Sequence, residues 1–538
     1  MIAIGRRRLD HLLFDVVGAV CLVMGLYKIV ASTRMTLNYY DEGILLSHTR
    51  TLDWGGWPYR DFYTQYPPGI YFLLRGLWQI FGPHVLVGRY LSDILRIGIG
   101  VVSGFVGGRL ASRRVALLPA GLVMCWLGPM WTIPYAWLVA LLCALGSTIA
   151  IAWAARTGAR DRLMVVGLLL GATASFRHDL FIYYACGLAV PTGFWIYQRR
   201  AAPHQVLRAA GWIAAGAAVP LIIFWLPTLL HVPWKTIYKD IYADQVRHVL
   251  PARKVPLPPM TDLVVVAHLP WRMPAFLVTF GAMTFGIILA APVLGALAVA
   301  RARRGPPTNG VVAASLTALA VAVLPQALGR SDWFHGLCVV APGALLAGAL
   351  PYTFRARQGW PVATPALLLG VAVLAFGARA LQEYYPPTGP LFPTIDDGEH
   401  DGSPLTHGIA DVFAEPRRRL RAFLATVAAA GEPIFAGNSD HALLAVNEVD
   451  LFFVIDHPSA TRYLQFDPGI VTREEVQREM VADLEKKKTR IAILSVNHRW
   501  TEPCNESSKR GSTFLDDYLR ANYHVVRTIG PYEVRLRD

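Results

Sequence analysis

The chain has 538 residues, of which 54% are hydrophobic and 16% are charged, and its formal net charge is +14. A soluble domain is about 25% charged, so this composition argues against a soluble globule and predicts a polytopic membrane protein. The basic excess lies in residues 1–381, whereas residues 382–538 hold more acidic than basic side chains. Neither part has the clustered positive charge of a nucleic-acid-binding protein, so no nucleic-acid partner is expected.

Apolar runs long enough to cross a bilayer, which takes roughly 20 residues each, recur throughout residues 1–381. The first run is longer than a signal-peptide core and no small-residue cleavage site follows it, so we expect a retained anchor. We predict an α-helical membrane domain of about eleven transmembrane helices, at residues 11–32, 86–108, 115–133, 136–155, 163–176, 181–198, 209–230, 274–300, 311–328, 335–354 and 361–381.

Arginines in alternate loops predict the orientation of these helices, because loops rich in Lys and Arg stay in the cytoplasm. The N-terminus is therefore expected in the cytoplasm. The first outer loop (33–85), a lid loop (231–273) and the segment from residue 382 onward are expected outside. Six loops carry the cytoplasmic signal: Arg6 to Arg8, Arg109/Arg113/Arg114, Arg156/Arg160/Arg162, Arg199/Arg200/Arg208, Arg301/Arg303/Arg304 and Arg355/Arg357.

The first outer loop contains adjacent carboxylates, Asp41 and Glu42, in a segment rich in aromatic residues and closed by Pro-Pro-Gly. Such a loop can be merely solvated. The aromatic residues, Tyr66 among them, suit stacking on a sugar, and a carboxylate at the membrane surface can act as a general base on a hydroxyl group. We assign the base to Asp41. Glu42 orients that base, binds the acceptor or helps to hold a divalent cation, and the sequence leaves these three roles open.

The second predicted span carries Arg89, Asp93 and Arg96 at positions i, i+4 and i+7. These residues share one helix face and can pair within the helix. Charges inside a span are costly and usually face a polar cavity. We interpret the three residues as a self-neutralised structural cluster rather than as a substrate contact.

Two short outer turns, "SFRHDLF" and "GRSDWFH", each place Arg, His and Asp at the membrane surface. Arginine offers a planar pair of donors to phosphate oxygens. We therefore predict that Arg177 and His178, with Arg330 and His335, bind a phosphate group. The alternative is that they are interfacial anchors.

The lid loop contains "YKDIYADQVRHVL", whose apolar residues recur at helical spacing. It can be an interfacial helix, or a mobile lid whose Lys235 and Lys239 bind a lipid phosphate. The two interpretations are compatible.

From residue 382 onward the composition changes to a Pro/Gly/Asp-rich linker and then to an extracytoplasmic α/β domain (382–538). Strands are predicted at 432–437, 451–456, 489–496, 524–529 and 532–537, and helices at 472–488 and 512–523. Five of the six cysteines lie in predicted spans and only Cys504 lies outside, so no internal disulfide is expected. No Cys/His spacing typical of a zinc site is present.

The motifs "YYDEG", "PYRDF", "YPPGIYFL" and "GRYLSDIL", followed by "FRHDL" and "LPQALGRSDWFH", resemble a known group. They are similar to the GT-C superfamily of polyprenyl-phosphate-sugar-dependent membrane glycosyltransferases. That group includes protein O-mannosyltransferases, the lipid A aminoarabinose transferase and mycobacterial arabinosyltransferases. The resemblance implies that Asp41 is the catalytic base with Glu42 as its partner. It also implies that Arg177, His178, Arg330 and His335 hold the donor phosphate.

The resemblance further implies an inverting transfer of a sugar from a polyprenyl-phosphate carrier to an acceptor hydroxyl, at the outer face of a bacterial inner membrane. The donor sugar, whether a hexose or a pentose, and the acceptor, whether glycan, lipid or protein, stay open. No cofactor is assigned, and a divalent cation beside the acidic pair is left open. The rival functions are a transporter or flippase for a lipid-linked saccharide, which would favour inverted repeats, and a non-enzymatic assembly protein.

Overall fold

The computed structural model describes most of the chain. The described residues are 2–33, 36–128, 132–157, 160–198, 202–253, 272–303, 307–329, 333–354, 361, 364, 367, 403–406, 409, 411, 413–443, 447–467, 469–495 and 509–538. The predicted linker and domain boundary near residue 382 lie outside them.

Helices dominate the first 354 residues, and a polytopic α-helical membrane fold with a small C-terminal sheet is confirmed. Ten of the eleven predicted runs coincide with described helices, and the run at 361–381 lies almost entirely outside the described residues. Five helices in the described part of the chain are long and apolar enough to cross a membrane. The helices are α1 (Ile2–Ser32), α2 (Asp41–Asp53), α3 (Gly69–Phe81), α4 (Val85–Leu110), α5 (Leu117–Leu127), α6 (Ala136–Thr157), α7 (Arg160–Phe176), α8 (His178–Gln198), α9 (Pro203–His231), α10 (Trp234–Tyr238), α11 (Leu250–Arg253), α12 (Arg272–Ala302), α13 (Pro307–Ala322), α14 (Leu324–Gly329) and α15 (Trp333–Ala349).

The chain divides into two compact units. The helical unit comprises Met1–Thr33, Tyr90–Trp225 and Pro256–Tyr384, and the mixed unit comprises Arg34–Arg89, Leu226–Val255 and Tyr385–Asp538. The first outer loop and the start of the lid loop therefore belong to the same unit as the C-terminal domain.

In the helical unit, α1 packs closely along α5. A Cβ at Gly18 would lie 2.3 Å from the backbone nitrogen of Leu118, and one at Gly25 would lie 2.8 Å from the Met124 carbonyl carbon. Small residues at such positions let helix backbones approach each other, as in other membrane helix pairs.

The described residues of the C-terminal part of the mixed unit form four helices and one sheet. The helices are α16 (Ala414–Val427), α17 (Leu451–Val454), α18 (Glu474–Lys486) and α19 (Phe514–Asn522). The strands are β1 (Phe435–Asn438), β2 (Ile491–Ser495), β3 (Tyr523–Ile529) and β4 (Tyr532–Arg537), in the order β1-β2-β4-β3. The β1/β2 pair is parallel, with Phe435 opposite Ala492, and the other two pairs are antiparallel.

The strand predicted at 451–456 is wrong, because residues Leu451–Val454 form helix α17. All four of these side chains are buried. A short apolar run that is buried on every side has no alternation, so its sequence pattern cannot separate a strand from a helical turn.

Candidate active site

Asp41 is the first residue of α2, and the side chain of Asn38 holds the turn that leads into it. The side-chain oxygen of Asn38 accepts hydrogen bonds from the backbone N–H groups of Tyr40 (3.0 Å) and Asp41 (2.8 Å). An Asn in this position satisfies donors that have no partner within the helix. Asp41 is half-buried, and the positive end of the helix dipole favours a negative charge at this position.

Glu42, the next residue, has very different surroundings. It is only 2% exposed, and its two carboxylate oxygens each accept a 2.7 Å hydrogen bond from the Arg89 guanidinium. One of these oxygens also accepts from the backbone N–H of Asn38 at 3.2 Å. Glu42 therefore accepts a backbone hydrogen bond at the start of α2 and forms a buried, bidentate ion pair with Arg89.

The charged face predicted on α4 pairs within the helix only in part. Arg96 lies 3.7 Å from Asp93, but Arg89 turns to Glu42 instead. Asp93 also accepts a 2.7 Å hydrogen bond from the hydroxyl of Thr33. A structural role is favoured for the cluster, because each charge has a partner.

A loop of the C-terminal domain, residues 447–450, supports the first two turns of α2. The Asp450 N–H donates to the Tyr39 carbonyl at 3.1 Å, and the Ser47 hydroxyl donates to the Val449 carbonyl at 2.6 Å. Gly43 touches this loop so closely that a Cβ would lie 2.4 Å from the Asp450 backbone nitrogen. Loop 447–450 therefore fixes the position of the helix that carries Asp41.

The same loop is anchored by a buried arginine that the sequence did not single out. Arg417 is fully buried and contacts three carboxylates: Asp411 (3.0 Å), Glu448 (2.8 Å) and Asp450 (2.7 Å). Burial raises the pKa of Asp450 well above its ordinary range, and the Arg417 guanidinium offsets only part of this shift. An arginine on the amphipathic helix α16 gave no signal that it would point inward.

The other two acidic residues of the first outer loop serve local structure. Asp53 accepts hydrogen bonds from Arg50 (2.7 Å) and Gln79 (2.8 Å), and Asp61 accepts from the Trp57 N–H at 2.7 Å. His48, on α2, is fully buried, and burial lowers its pKa to about 3, so its ring is neutral. Asp53 and Asp61 thus hold the local structure of the loop.

Tyr66 lies in the same unit as Asp41 and is half-buried. Its carbonyl accepts a 2.8 Å hydrogen bond from the Tyr59 hydroxyl, and its own hydroxyl lies 3.3 Å from the Gln65 amide. Lys235 and Lys239 lie on an exposed helical face in this unit too. The Lys239 ammonium lies 3.9 Å from Glu479, a distance at which an exposed ion pair contributes little.

The start of the lid loop is bound to the C-terminal domain and to the first outer loop. Asp240 is fully buried and accepts a 2.6 Å hydrogen bond from Arg462. Asp244 lies 3.3 Å from Arg473, and Gln245 donates to the Tyr63 hydroxyl at 2.9 Å. Burial raises the pKa of Asp240 and the Arg462 charge offsets only part of this increase, so the pKa remains at about 7.

The predicted phosphate ligands belong to the helical unit. Arg177 pairs with Asp179 through two hydrogen bonds of 2.7 and 3.0 Å, and His178 is the first residue of α8. Arg330 lies outside the described residues, as does the side chain of His335, whose backbone belongs to α15.

The residues beside Asp41 do not fit a divalent cation held jointly with Glu42, because Arg89 occupies both Glu42 oxygens. Within the described part of the chain, no group of three or more His, Cys, Asp or Glu side chains is arranged to hold a metal. Of the three roles that the sequence left open for Glu42, the geometry favours the first, in which it orients its neighbour.

No protein-family model and no curated protein matches the sequence. Among solved structures, the chain is similar to ArnT from Cupriavidus metallidurans bound to undecaprenyl phosphate. The TM-score is 0.55 with 14% identity, and the match covers 97% of each chain. The chain has the GT-C fold. ArnT from the same organism in the apo state also matches, with a TM-score of 0.45, 15% identity and 97% coverage of each chain.

Three features of the site were not predicted from the sequence: the turn held by Asn38, the Glu42–Arg89 pair and the Arg417 cluster. The turn had a signal in the sequence, since Asn favours turns in which its side chain bonds the backbone two residues on. The other two join residues 47 and 33 positions apart in the chain. No local pattern predicts such pairs.

Proposed function

We propose that this protein is a glycosyltransferase that moves a sugar from a polyprenyl-phosphate carrier to an acceptor hydroxyl, at the outer face of a bacterial inner membrane. The observation that carries the proposal is the contrast between two adjacent carboxylates. Glu42 is buried against Arg89, while Asp41 is half-buried at the start of α2. The likeness to ArnT, which binds undecaprenyl phosphate, supports a lipid-phosphate-linked donor.

In the proposed reaction, Asp41 accepts the proton of the acceptor hydroxyl while the hydroxyl oxygen attacks the anomeric carbon. The bond from that carbon to the phosphate oxygen breaks on the opposite side, so the configuration inverts. Polyprenyl phosphate leaves with the bonding electrons. A base held in place for this proton transfer typically contributes a factor of about 10²–10⁴.

Negative charge builds up on the departing phosphate, so cations near it stabilise the transition state. Arg177, His178, Arg330, His335, Lys235 and Lys239 are proposed for this role. Arg177 already shares two hydrogen bonds with Asp179, which fixes the plane of its guanidinium. Tyr66 is proposed to contact the sugar ring. Glu42 is a positioning residue, because it acts on the reaction only through the helix start.

The test uses a strain that lacks this protein and mass spectrometry of its intact lipids. Loss of the protein should cause a carrier-linked sugar to accumulate, and the wild-type gene should reverse this. Asp41→Asn should express at wild-type level yet reverse the accumulation at least about 100-fold more slowly, given the usual contribution of a base. The control is Glu475→Gln, which alters a 71% exposed carboxylate of the same unit.

Full activity of Asp41→Asn would overturn the assignment of the base. A strain that accumulates no carrier-linked sugar, yet mislocalises a lipid-linked saccharide between leaflets, would favour the transporter or flippase instead.

A further inference from the structure

The helical segment Trp234–Arg253 exposes one continuous apolar face. Five side chains spaced four residues apart, between 44% and 64% exposed, form this face. We name it the lid stripe, and its members are Trp234, Tyr238, Tyr242, Val246 and Leu250. The rings follow one another along it, with centroids 5.6 Å apart for Trp234 and Tyr238 and 6.0 Å apart for Tyr238 and Tyr242.

The backbone keeps this stripe straight. In an α-helix, residues four apart drift about 40° around the axis, so a long i+4 series would spiral off one face. Here two π-helical turns, Lys239–Ala243 and Gln245–Val249, interrupt the α-helical turns. Their wider i→i+5 bonding rotates less per residue and counteracts the drift.

The opposite face of the segment is already occupied. Asp240, Asp244 and Gln245 bind Arg462, Arg473 and Tyr63, and Ile237 and Val249 are buried. The lid stripe therefore remains exposed while the other side of the same helix is held by the rest of the mixed unit. An apolar face this large on an otherwise satisfied helix normally marks a contact surface.

Three observations identify the occupant as a lipid surface. The stripe begins three residues after the end of α9, a candidate membrane span. Only 17% of the residues in the apolar part of α9 are buried. Its aromatic members, Trp and Tyr, are the types enriched where membrane meets water. Lys235, Lys239 and Arg247 flank it, and neither Lys235 nor Arg247 has an ion pair within the described residues.

We infer that the lid stripe lies in the headgroup region of the bilayer and binds anionic phospholipid. The apolar side chains enter the acyl boundary, and the flanking cations meet headgroup phosphates. The segment thereby ties the C-terminal domain to the membrane surface, since its inner face is bound to that domain. This inference does not require the glycosyl-transfer reaction.

Spin labels on a cysteine-free full-length chain test this inference. Single cysteines replace Tyr238 and Val246 on the stripe, and Ala482, which is exposed on α18 of the same unit, serves as the matched control. The protein is reconstituted into vesicles of phosphatidylethanolamine and phosphatidylglycerol. Accessibility to oxygen, which concentrates in the bilayer, is compared with accessibility to a water-soluble nickel complex.

The stripe labels should show an oxygen-to-nickel accessibility ratio severalfold above that of the Ala482 label. Lys235→Gln combined with Arg247→Gln should lower that ratio, as should replacement of phosphatidylglycerol by phosphatidylcholine. Stripe labels as open to nickel as the control would overturn the inference. So would labels shielded from both reagents, which would indicate a protein partner or a second copy. Insensitivity to both the cation changes and the lipid change would overturn the binding of anionic lipid.

Discussion

Asp41 and Glu42 show how two identical charges one residue apart can acquire separate tasks. Because successive helix residues point about 100° apart, one side chain turns inward to Arg89 while its neighbour stays at the surface of the helix start. The inward carboxylate makes three hydrogen bonds of 2.7, 2.7 and 3.2 Å. Glu42 therefore holds the turn of α2 that carries Asp41.

Removing the charge of Glu42 should therefore be costly. Glu42→Gln leaves the Arg89 guanidinium buried without its counter-charge, and breaking a buried pair in this way costs roughly 3–5 kcal/mol. We expect a large drop in the midpoint of thermal unfolding and faster amide hydrogen exchange in the first turns of α2. Calorimetry and exchange mass spectrometry of the purified protein measure the two effects.

The double variant Glu42→Gln with Arg89→Gln is the matched control, because it removes both charges and should recover part of the lost stability. Asp41→Asn should leave the unfolding midpoint near that of the wild type. If Glu42→Gln proves as stable as the wild type, the pair does not hold the helix start.

At the scale of elements, α2 depends on a neighbour that is remote in sequence. Gly43→Ala would place a Cβ 2.4 Å from the Asp450 backbone nitrogen, a contact that no flexible side chain can relieve. Overpacking of this kind typically costs about 1–3 kcal/mol. We expect lower stability and, because α2 must shift, at least tenfold lower transfer activity with unchanged expression.

Gly76→Ala is the control for that change. Gly76 lies inside α3, where a new Cβ meets nothing within 4 Å. Alanine in a helix interior is favoured over glycine by about 0.5–1 kcal/mol, so this variant should be neutral or slightly more stable. Equal behaviour of the two alanine variants would contradict the proposed packing of α2 on loop 447–450.

The docking of the lid segment should depend on pH through Asp240. Its folded-state pKa is about 7, above the value near 3.9 of an unfolded Asp, so the folded state binds this proton more tightly. The resulting stabilisation is complete below about pH 4 and is lost as the pH rises to about 7. Amide exchange in residues 234–253 should therefore accelerate over this range, beyond the intrinsic pH dependence of exchange.

Asp240→Asn removes this titration. Exchange in the segment, corrected for the intrinsic rate, should then be flat with pH. A wild-type segment that is equally protected at pH 5 and pH 7.5 would show that another group governs its docking.

At the scale of the whole molecule, the sequence predicted the helices better than it predicted their partners. Apolar runs define spans because a bilayer imposes their length and composition, and the ends of α4 and α6 lie within two residues of the predicted ends. Helices α18 and α19 have amphipathic spacing, and the sequence predicted them equally well. Helix α17 was not predicted, because its short run of buried apolar residues has no periodicity.

The site was predictable only in part, for a related reason. An acidic pair after a span can be read locally, so Asp41 and Glu42 stood out. Which of the two is buried depends on Arg89, and the position of α2 depends on Asp450. Both residues are distant from α2 in the sequence and are brought close to it only by the fold. The grouping of the first outer loop with the C-terminal domain in one compact unit is a tertiary fact of this kind.

Tyr59 illustrates what this grouping implies. It is fully buried with a φ of 67°, a left-handed conformation that glycine adopts freely and other residues adopt at a cost of about 1–3 kcal/mol. Its carbonyl accepts a hydrogen bond from Arg462, the residue that also binds Asp240. The Arg462 guanidinium thus holds both the left-handed residue Tyr59 and the helical segment that contains Asp240. A motion that withdraws Arg462 would release both together.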